Sequence, residues 1–559
     1  MADASYVNPA AINTTEAPQQ SAFAKWAGLF ILSMALAIII IDTTLLNVSL
    51  RVLIVDLHTD LQHLQWVISA YALMLAAFTI TGGRLGDIFG KKKMFLTGAV
   101  IFAAGSFIAS ISTNFWQMLA GEAIIEGLGA ALMMPATSSL LVTNFQGRER
   151  AIAFGVWGGI AAASSAVGPI LGGFLTSHYS WRWGFRINVV VAAFVLIFSF
   201  LLHDSGNKGP RPSLDYLGVV LAGLGLTSII YGIIESSTYG WWLAKQPFEM
   251  FGRTIVSGPI SIVPLAIIFG FVVLAFFLSY EQYREESGKT PLVSLSIFKN
   301  HQFASGIFTS SVFSLGMAGI IFTLPVFLQT VHGLDAFSTG LTLLPMSLCM
   351  LVVAPLSGFF TKYVTPKRLI QTGLMVSVLA ILIIRQSLNT TGISFLMQAG
   401  LALYGVGMGF IMAQITNITL SAVDIRMAGE ASGLNNTLRQ VGQSLGSAIV
   451  GSIIVGTFAT AISTGVQTSS VIPIPAKTAV QAQMSKEAAS LDFSGTAAGS
   501  IVSPVMKNEL SAIVKASMTA ADRRSLLYTA FFVFMGFLAS FSLPGKRRQS
   551  AAAPVPAGH

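Results

Sequence analysis

The sequence predicts an all-α polytopic membrane protein, and three observations predict it. The 559 residues are 53% hydrophobic and only 10% charged, with a mean hydropathy of +0.73, whereas a soluble domain carries about 25% charged residues. Apolar runs recur about fourteen times, each near the ~20 residues that a membrane-crossing helix needs. Lysines and arginines collect in short connections beside those runs, and the net charge of +9 therefore points to a lipid bilayer and not to nucleic acid.

In chain order, residues 1–24 are polar and rich in Ala, Thr, Asn and Gln, and are expected to be disordered. They lack the basic start and short apolar centre of a cleaved signal, so the first span is expected to be retained. The apolar runs fall at roughly 27–47, 66–83, 94–112, 117–142, 152–175, 187–203, 215–234 and 257–279. Six more follow at roughly 303–329, 338–360, 367–387, 394–418, 433–459 and 525–543. With the N-terminus inside, the inner loops hold Lys91, Lys92, Lys93, Arg148, Arg150, Lys208, Arg211, Arg284, Lys289, Lys299, Lys362, Lys367, Arg368 and Arg426. The short outer loops hold Arg51, Arg182, Arg186, Lys245 and Arg253. This asymmetry predicts an inner or plasma membrane protein with both termini in the cytoplasm, the last helix end held by Lys546, Arg547 and Arg548. Residues 460–524, rich in Ser, Thr, Ala, Pro and Gln, are expected to form a long outer loop that can hold short helices but has no strong core of its own. The single cysteine, Cys349, excludes an intramolecular disulfide. The seven histidines lie in loops, at helix ends or in the tail without metal-ligand spacing.

The second and third runs flank Gly82-Gly83-Arg84-Leu85-Gly86-Asp87-Ile88-Phe89-Gly90-Lys91-Lys92-Lys93. This reads as a very short hairpin between two spans, its glycines permitting a tight turn and close helix approach. An ordinary basic loop explains the lysines but not the Gly-x-Leu-Gly-Asp-x-x-Gly pattern. The stretch resembles the loop between helices 2 and 3 of the major facilitator superfamily of secondary transporters. The resemblance implies the major facilitator fold and a cytoplasmic latch made by Gly83, Arg84, Gly86, Asp87, Gly90 and Lys91. A weaker echo, Gly358 to Arg368, follows the tenth run and matches the first Gly and the closing basic pair, but not the Asp. Repeated halves are common in transporter folds. The expected layout is a six-helix bundle over 25–204, two additional central helices with linkers over 205–300, a second six-helix bundle over 301–543 and a tail over 544–559. This arrangement resembles the fourteen-span drug:proton antiporter subfamily.

Acids inside apolar sequence carry the chemistry. A carboxylate within a span costs at least ~2.5 kcal/mol on insertion scales, so it marks a functional candidate. Asp42 stands in Ile41-Asp42-Thr43-Thr44-Leu45-Leu46-Asn47-Val48; the bland alternative makes it a solvated helix-end residue. Glu122 and Glu126 are four apart in the fourth run and share one helix face. Two carboxylates on one buried face repel if both ionise, which favours holding a proton between them. The alternative sets Glu122 toward the outer headgroups and bonds Glu126 to a neighbouring helix. The first motif resembles the family's Asp-x-Thr-x-x-Asn-Val pattern, whose Asp is implicated in proton or cation handling, although the usual proline is replaced around Arg51. The fourth run departs from the family's Arg-x-x-Gln-Gly, with Ala123 in the Arg position and Glu126 in the Gln position.

The fifth run carries Gly155, Trp157, Gly159 and the ending Gly168-Pro169-Ile170-Leu171-Gly172-Gly173. Small residues let helices approach closely, and the Gly-Pro ending resembles the signature helix of exporters in the superfamily. Trp181 to Phe185 with Asn188 likewise resembles the fourteen-span group. In the thirteenth run Asn436, Arg439, Gln440, Gln443 and Ser447 lie on one helical face, predicting a polar seam toward the interior or a cavity. A structural hydrogen-bond seam between helices fits the same pattern. Gln414 and Asn417, with Asn47 and Trp157, complete the substrate-cavity candidates. The 39 phenylalanines and 20 methionines read mostly as packing or lipid-facing residues.

No phosphate-binding lysine loop, nucleophile elbow or metal cluster is present in the sequence, so no enzyme activity, cofactor or metal is expected. The expected function is a monomeric, proton-coupled exporter of amphipathic small molecules, cationic ones included. A proton-coupled importer on the same fold, or a membrane sensor that transports nothing, are the alternatives.

Overall fold

The computed structural model describes residues 22–59, 61–204, 213–250, 253–256, 258–473, 477 and 504–545. Most of the expected disordered N-terminus, the C-terminal tail and the middle of the 460–524 loop lie outside the described residues. The long helices are α1 (Ala22–Asp56), α2 (Leu61–Phe89), α3 (Lys91–Ser110), α4 (Phe115–Asn144), α5 (Gly147–His178), α6 (Arg182–Ile197) and α7 (Tyr216–Ile234). They continue as α8 (Ile262–Glu286), α9 (His301–Thr330), α10 (Ala336–Phe360), α11 (Pro366–Ser387), α12 (Phe395–Leu420), α13 (Ala428–Thr468) and α14 (Pro504–Ala539). Thirteen of them are long and apolar enough to cross a membrane. The remaining helix, α5, carries an apolar stretch at Val167–Thr176 among its described residues.

Side-chain caps set several of the helix starts. The carboxylates of Asp215 and Asp335 accept the N–H of Gly218 and Ser338, and the hydroxyls of Ser261 and Ser394 accept those of Val263 and Met397. Each satisfies a backbone donor that the first helical turn leaves free. At exposed Asp335 the bonds from Ser338 hold the carboxyl below its ordinary range.

The helices form two six-helix bundles. One apolar core is built mainly by α1–α6, around Phe95, Phe102, Phe154, Trp181 and Phe185. The other is built by α9–α14, around Phe313, Phe327, Tyr404 and Phe458. Helices α7 and α8 pack on each other, and Tyr231 of α7 stacks on Trp66 of α2 with ring centroids 5.7 Å apart. The bundles meet through α5 against α10 and α12, and through α13 against α2 and α4.

Four details differ from the sequence reading. The 82–93 stretch is almost wholly helical: α2 runs to Phe89, Gly90 alone turns at φ 105°, and α3 starts at Lys91. Only a residue without Cβ takes that conformation easily. The first helix continues past position 51 to Asp56, since no proline interrupts it there. A two-stranded antiparallel hairpin, Phe248–Met250 with Arg253–Val256, lies in the α7–α8 connection. Finally, α13 extends to Thr468 and α14 begins at Pro504, so both ends of the expected 460–524 loop are helical. Leu510, Val514, Met518 and Ala521 recur at helical spacing and join the second core with Ile462 and Val466.

Candidate functional site

Three acids from two helices meet inside the first bundle. Asp42 comes from the middle of α1, and Glu122 and Glu126 from α4. Around the two glutamates, Leu119–Glu126 winds as a π-helix, and the Gly127 N–H reaches back five residues to the Glu122 carbonyl. Such wider turns are rare and occur often at functional sites. The three side chains are 0–1% exposed, and one carboxylate oxygen from each lies within 4.8 Å of the others. The solvated readings of Asp42 and Glu122 are thereby overturned.

Asn188 of α6 ties the cluster together. Its side-chain amide donates to Asp42 Oδ1 at 2.7 Å and lies 3.2 Å from both Glu126 Oε1 and Ser106 Oγ. The Ser106 hydroxyl of α3 donates to Glu126 Oε1 at 2.6 Å. Apart from one another, Asp42 Oδ2, Glu122 Oε2 and Glu126 Oε2 have no partner among the described residues, nor has the buried Tyr71 hydroxyl close by. No lysine, arginine or histidine among the described residues pairs with the acids. Three buried carboxyl groups in this setting cannot all carry charge, because desolvation and mutual repulsion both oppose it. Chemically the cluster can hold protons, or offer three oxygens to one cation. Ser106, Tyr71 and the bridging role of Asn188 escaped sequence reasoning; a lone polar residue in an apolar run was the available signal for Asn188.

The second constellation closes the lysine-rich end, where the two bundles touch. Asp87 Oδ1 accepts the N–H of Gly429 at 3.0 Å, and Oδ2 that of Glu430 at 2.8 Å. These are free donors of the first turn of α13, where a negative charge also meets the positive end of the helix dipole. Arg84 pairs with Glu430 at 3.1 Å, both side chains being buried. Lys91 Nζ donates to the Ile425 carbonyl at 2.8 Å. Gly83 lies so close to Gly429 that a Cβ on either would strike the other's carbonyl oxygen. Gly86 of α2 lies against Lys91 at the start of α3. Ser138 of α4 bonds Ser432 of α13, whose hydroxyl also donates to the Pro135 carbonyl. Glu430 and Ser432 were not singled out in the sequence; Glu430 was a lone acid at the start of an apolar run.

The glycines of α5 serve two neighbours. Gly155 and Gly159 lie against Leu351, Ala354 and Pro355 of α10, across the bundle interface. Gly168 and Gly172 lie against Thr44 and Leu45 of α1, with Pro169 inside the helix between them. The cavity candidates separate. Gln414 is fully buried and donates to Ser357 Oγ at 2.9 Å, and Trp157 packs in the first core against Phe154. Neither borders open space: a polar or aromatic residue in an apolar run does not reveal which face of the helix it occupies. Asn417, Arg439 and Gln443 are half-buried, and the side chain of Asn47 lies outside the described residues.

A model of the Major Facilitator Superfamily matches residues 32–447. The chain is 30% identical to the probable actinorhodin transporter of Streptomyces coelicolor over 77% of its own length and 73% of that relative. It is 29% identical to the tetracenomycin C resistance and export protein of Streptomyces glaucescens, over 76% and 75%. With the multidrug resistance protein Stp of Mycobacterium tuberculosis it shares 27% identity over 75% and 74%. Among solved structures, a human organic anion transporter superposes with a TM-score of 0.55 at 11% identity, covering 92% of this chain and 99% of that one. A bacterial homologue of the human lysosomal transporter Spinster gives 0.52 at 15%, covering 94% and 98%. These two likenesses concern the fold alone.

Proposed function

The chain belongs to the major facilitator superfamily of membrane transporters, and from that premise we propose that it is a proton-coupled exporter of amphipathic small molecules in the cell membrane. It is not an enzyme. The observation that carries the coupling is the Asp42–Glu122–Glu126 cluster: three buried carboxyl groups, two of them bridged by Asn188, with no cationic side chain against them among the described residues. Export is supported by the relatives, which include an antibiotic resistance and export protein and a multidrug resistance protein. We place the lysine-rich end and both termini in the cytoplasm, as the positive-inside rule requires, and take the single chain as the working unit.

In this reading the Asp87–Glu430 latch closes the cytoplasmic end while the cluster takes up a proton from the outer side. Losing that proton on the inner side restores negative charges that repel one another across α1 and α4, and the rocking of one bundle on the other follows. Each charge moved through the potential supplies ~2.3 kcal/mol per 100 mV, and this is the energy the cycle has available. The same three oxygens support a second reading, in which a sodium ion occupies the cluster. Proteoliposomes holding the purified chain separate the possibilities. Substrate uptake driven by an acidic lumen without sodium supports proton exchange, uptake driven by an acidic exterior favours an importer, and uptake only under a sodium gradient supports the second reading.

A further inference from the structure

Among the described residues, one cation between the bundle ends has no counter-charge against it. Every other buried or half-buried cation around the latch and its linkers meets an oxygen: Arg84 meets Glu430, Lys91 meets the Ile425 carbonyl, and Arg284 meets Asp215 and the Thr290 carbonyl. Arg439 is half-buried midway along α13 and has no hydrogen bond, ion pair or nearby carboxylate among the described residues. It lies between two close helix contacts, Gly433 against Thr79 and Ile80 of α2, and Gly442 against Ser311 of α9. One turn earlier on the same face, Asn436 is 5% exposed and its Nδ2 has no acceptor. Gln440 and Gln443, both half-buried, continue the face by one more turn.

We propose that this face of α13 binds the anionic group of the transported molecule, a carboxylate or an ionised phenol or enol, with Arg439 as its counter-charge. A half-buried guanidinium without a counter-charge is only partly solvated, and an incoming anion offsets that cost. Its planar fork matches two oxygens at once, which an ammonium does not. The Asn436 Nδ2 adds a donor one turn away, so the face offers hydrogens to an acceptor-rich group. The acids sit on α1 and α4 of the other bundle, so proton and anion occupy different groups and need not compete. The proposal rests on the exporter reading and narrows its substrates from amphipathic molecules in general to amphipathic anions. Exchanging one such monoanion outward for one proton inward moves two positive charges inward, whereas a monocation exchanged for a proton moves none.

The test uses the full chain in lipid nanodiscs and two amphipathic dyes, anionic fluorescein and cationic ethidium, read by fluorescence anisotropy. Fluorescein should bind at least about tenfold more tightly than ethidium, and Arg439→Gln should erase the difference by weakening fluorescein alone. Arg439→Lys should fall between, because it keeps the charge and loses the fork. Should Arg439→Gln fail to fold, Arg439→Lys and Asn436→Ala carry the test, each weakening fluorescein and leaving ethidium unchanged. Equal or absent binding of the two dyes by the unmodified chain overturns the proposal, as does equal loss of both in the variants or no loss in any. The exporter reading fails separately: charge-selective binding in a protein that shows no gradient-driven transport leaves the anion site standing and removes the exporter.

Discussion

The carboxylate of Asp87 accepts the backbone N–H of Glu430 at 2.8 Å from a position 343 residues earlier in the chain. In the same place the Glu430 side chain takes the guanidinium of Arg84 and the N–H of Ser294, the latter from the linker leading into α9. Glu430 therefore joins three parts of the chain at one end of the bundle. Whatever separates the bundles there must break a charge-assisted bond to a helix N-terminus and a buried ion pair together.

Asp87→Asn keeps an acceptor but loses the charge. A carboxylate at a partly buried helix start contributes up to ~2 kcal/mol, so transport should fall by about tenfold with membrane expression near normal. Glu430→Gln removes the carboxylate paired with buried Arg84 and should be the more damaging change, because breaking a buried pair costs ~3–5 kcal/mol. Initial transport rates normalised to membrane protein check both. Unaltered rates in Asp87→Asn would reduce the latch to a connector.

Gly83→Val should hold the same end ajar, since its side chain has no room against the Gly429 carbonyl. Ser432, fully buried at this contact, reports the opening. Ser432→Cys in a Cys349→Ser background should label slowly with a membrane-impermeant maleimide applied to inside-out vesicles, and at least about tenfold faster when Gly83→Val is added. Equal labelling rates would mean the glycine pair does not gate this end.

Asn188→Ala removes the donor shared by Asp42 and Glu126. It should leave substrate binding intact and cut gradient-driven transport by about tenfold or more, the loss expected when a buried charge-assisted hydrogen bond is removed. Parallel binding and transport measurements on the variant check the split. Loss of binding together with transport would make Asn188 a packing residue.

Lys507→Cys tests the orientation. Lys507 is exposed at the start of α14, on the side away from the lysine-rich end. In a Cys349→Ser background it should react with an impermeant thiol reagent in intact cells. Reaction only after permeabilisation would invert the topology.

The helices were legible because each apolar run is long, and the family motif at 82–93 sits at a fixed place among them. The start of α14 was not: Lys507, Lys515 and Asp522 make 504–524 look like a polar loop, and only the spacing of Leu510, Val514, Met518 and Ala521 betrays a packed face. The three acids of the site were conspicuous as charges in apolar sequence. That they form one cluster was not readable, because it depends on α3 and α6 bringing Ser106 and Asn188 between α1 and α4. The π-helix was hidden for a related reason: Glu122 and Glu126 share a face in either winding. Gln414 and Trp157 were assigned to a cavity on polarity or size, properties that do not say toward which neighbour a side chain points.

The most direct measurement takes the cluster one acid at a time. Proteoliposomes containing the wild-type chain, Asp42→Asn, Glu122→Gln or Glu126→Gln are given a pH gradient in sodium-free buffer, and substrate accumulation is compared with passive exchange at equal pH. Coupling through three acids that share protons predicts accumulation in the wild type and its loss in Asp42→Asn and Glu126→Gln, with exchange retained in both. Undiminished gradient-driven accumulation in all three variants would contradict the account.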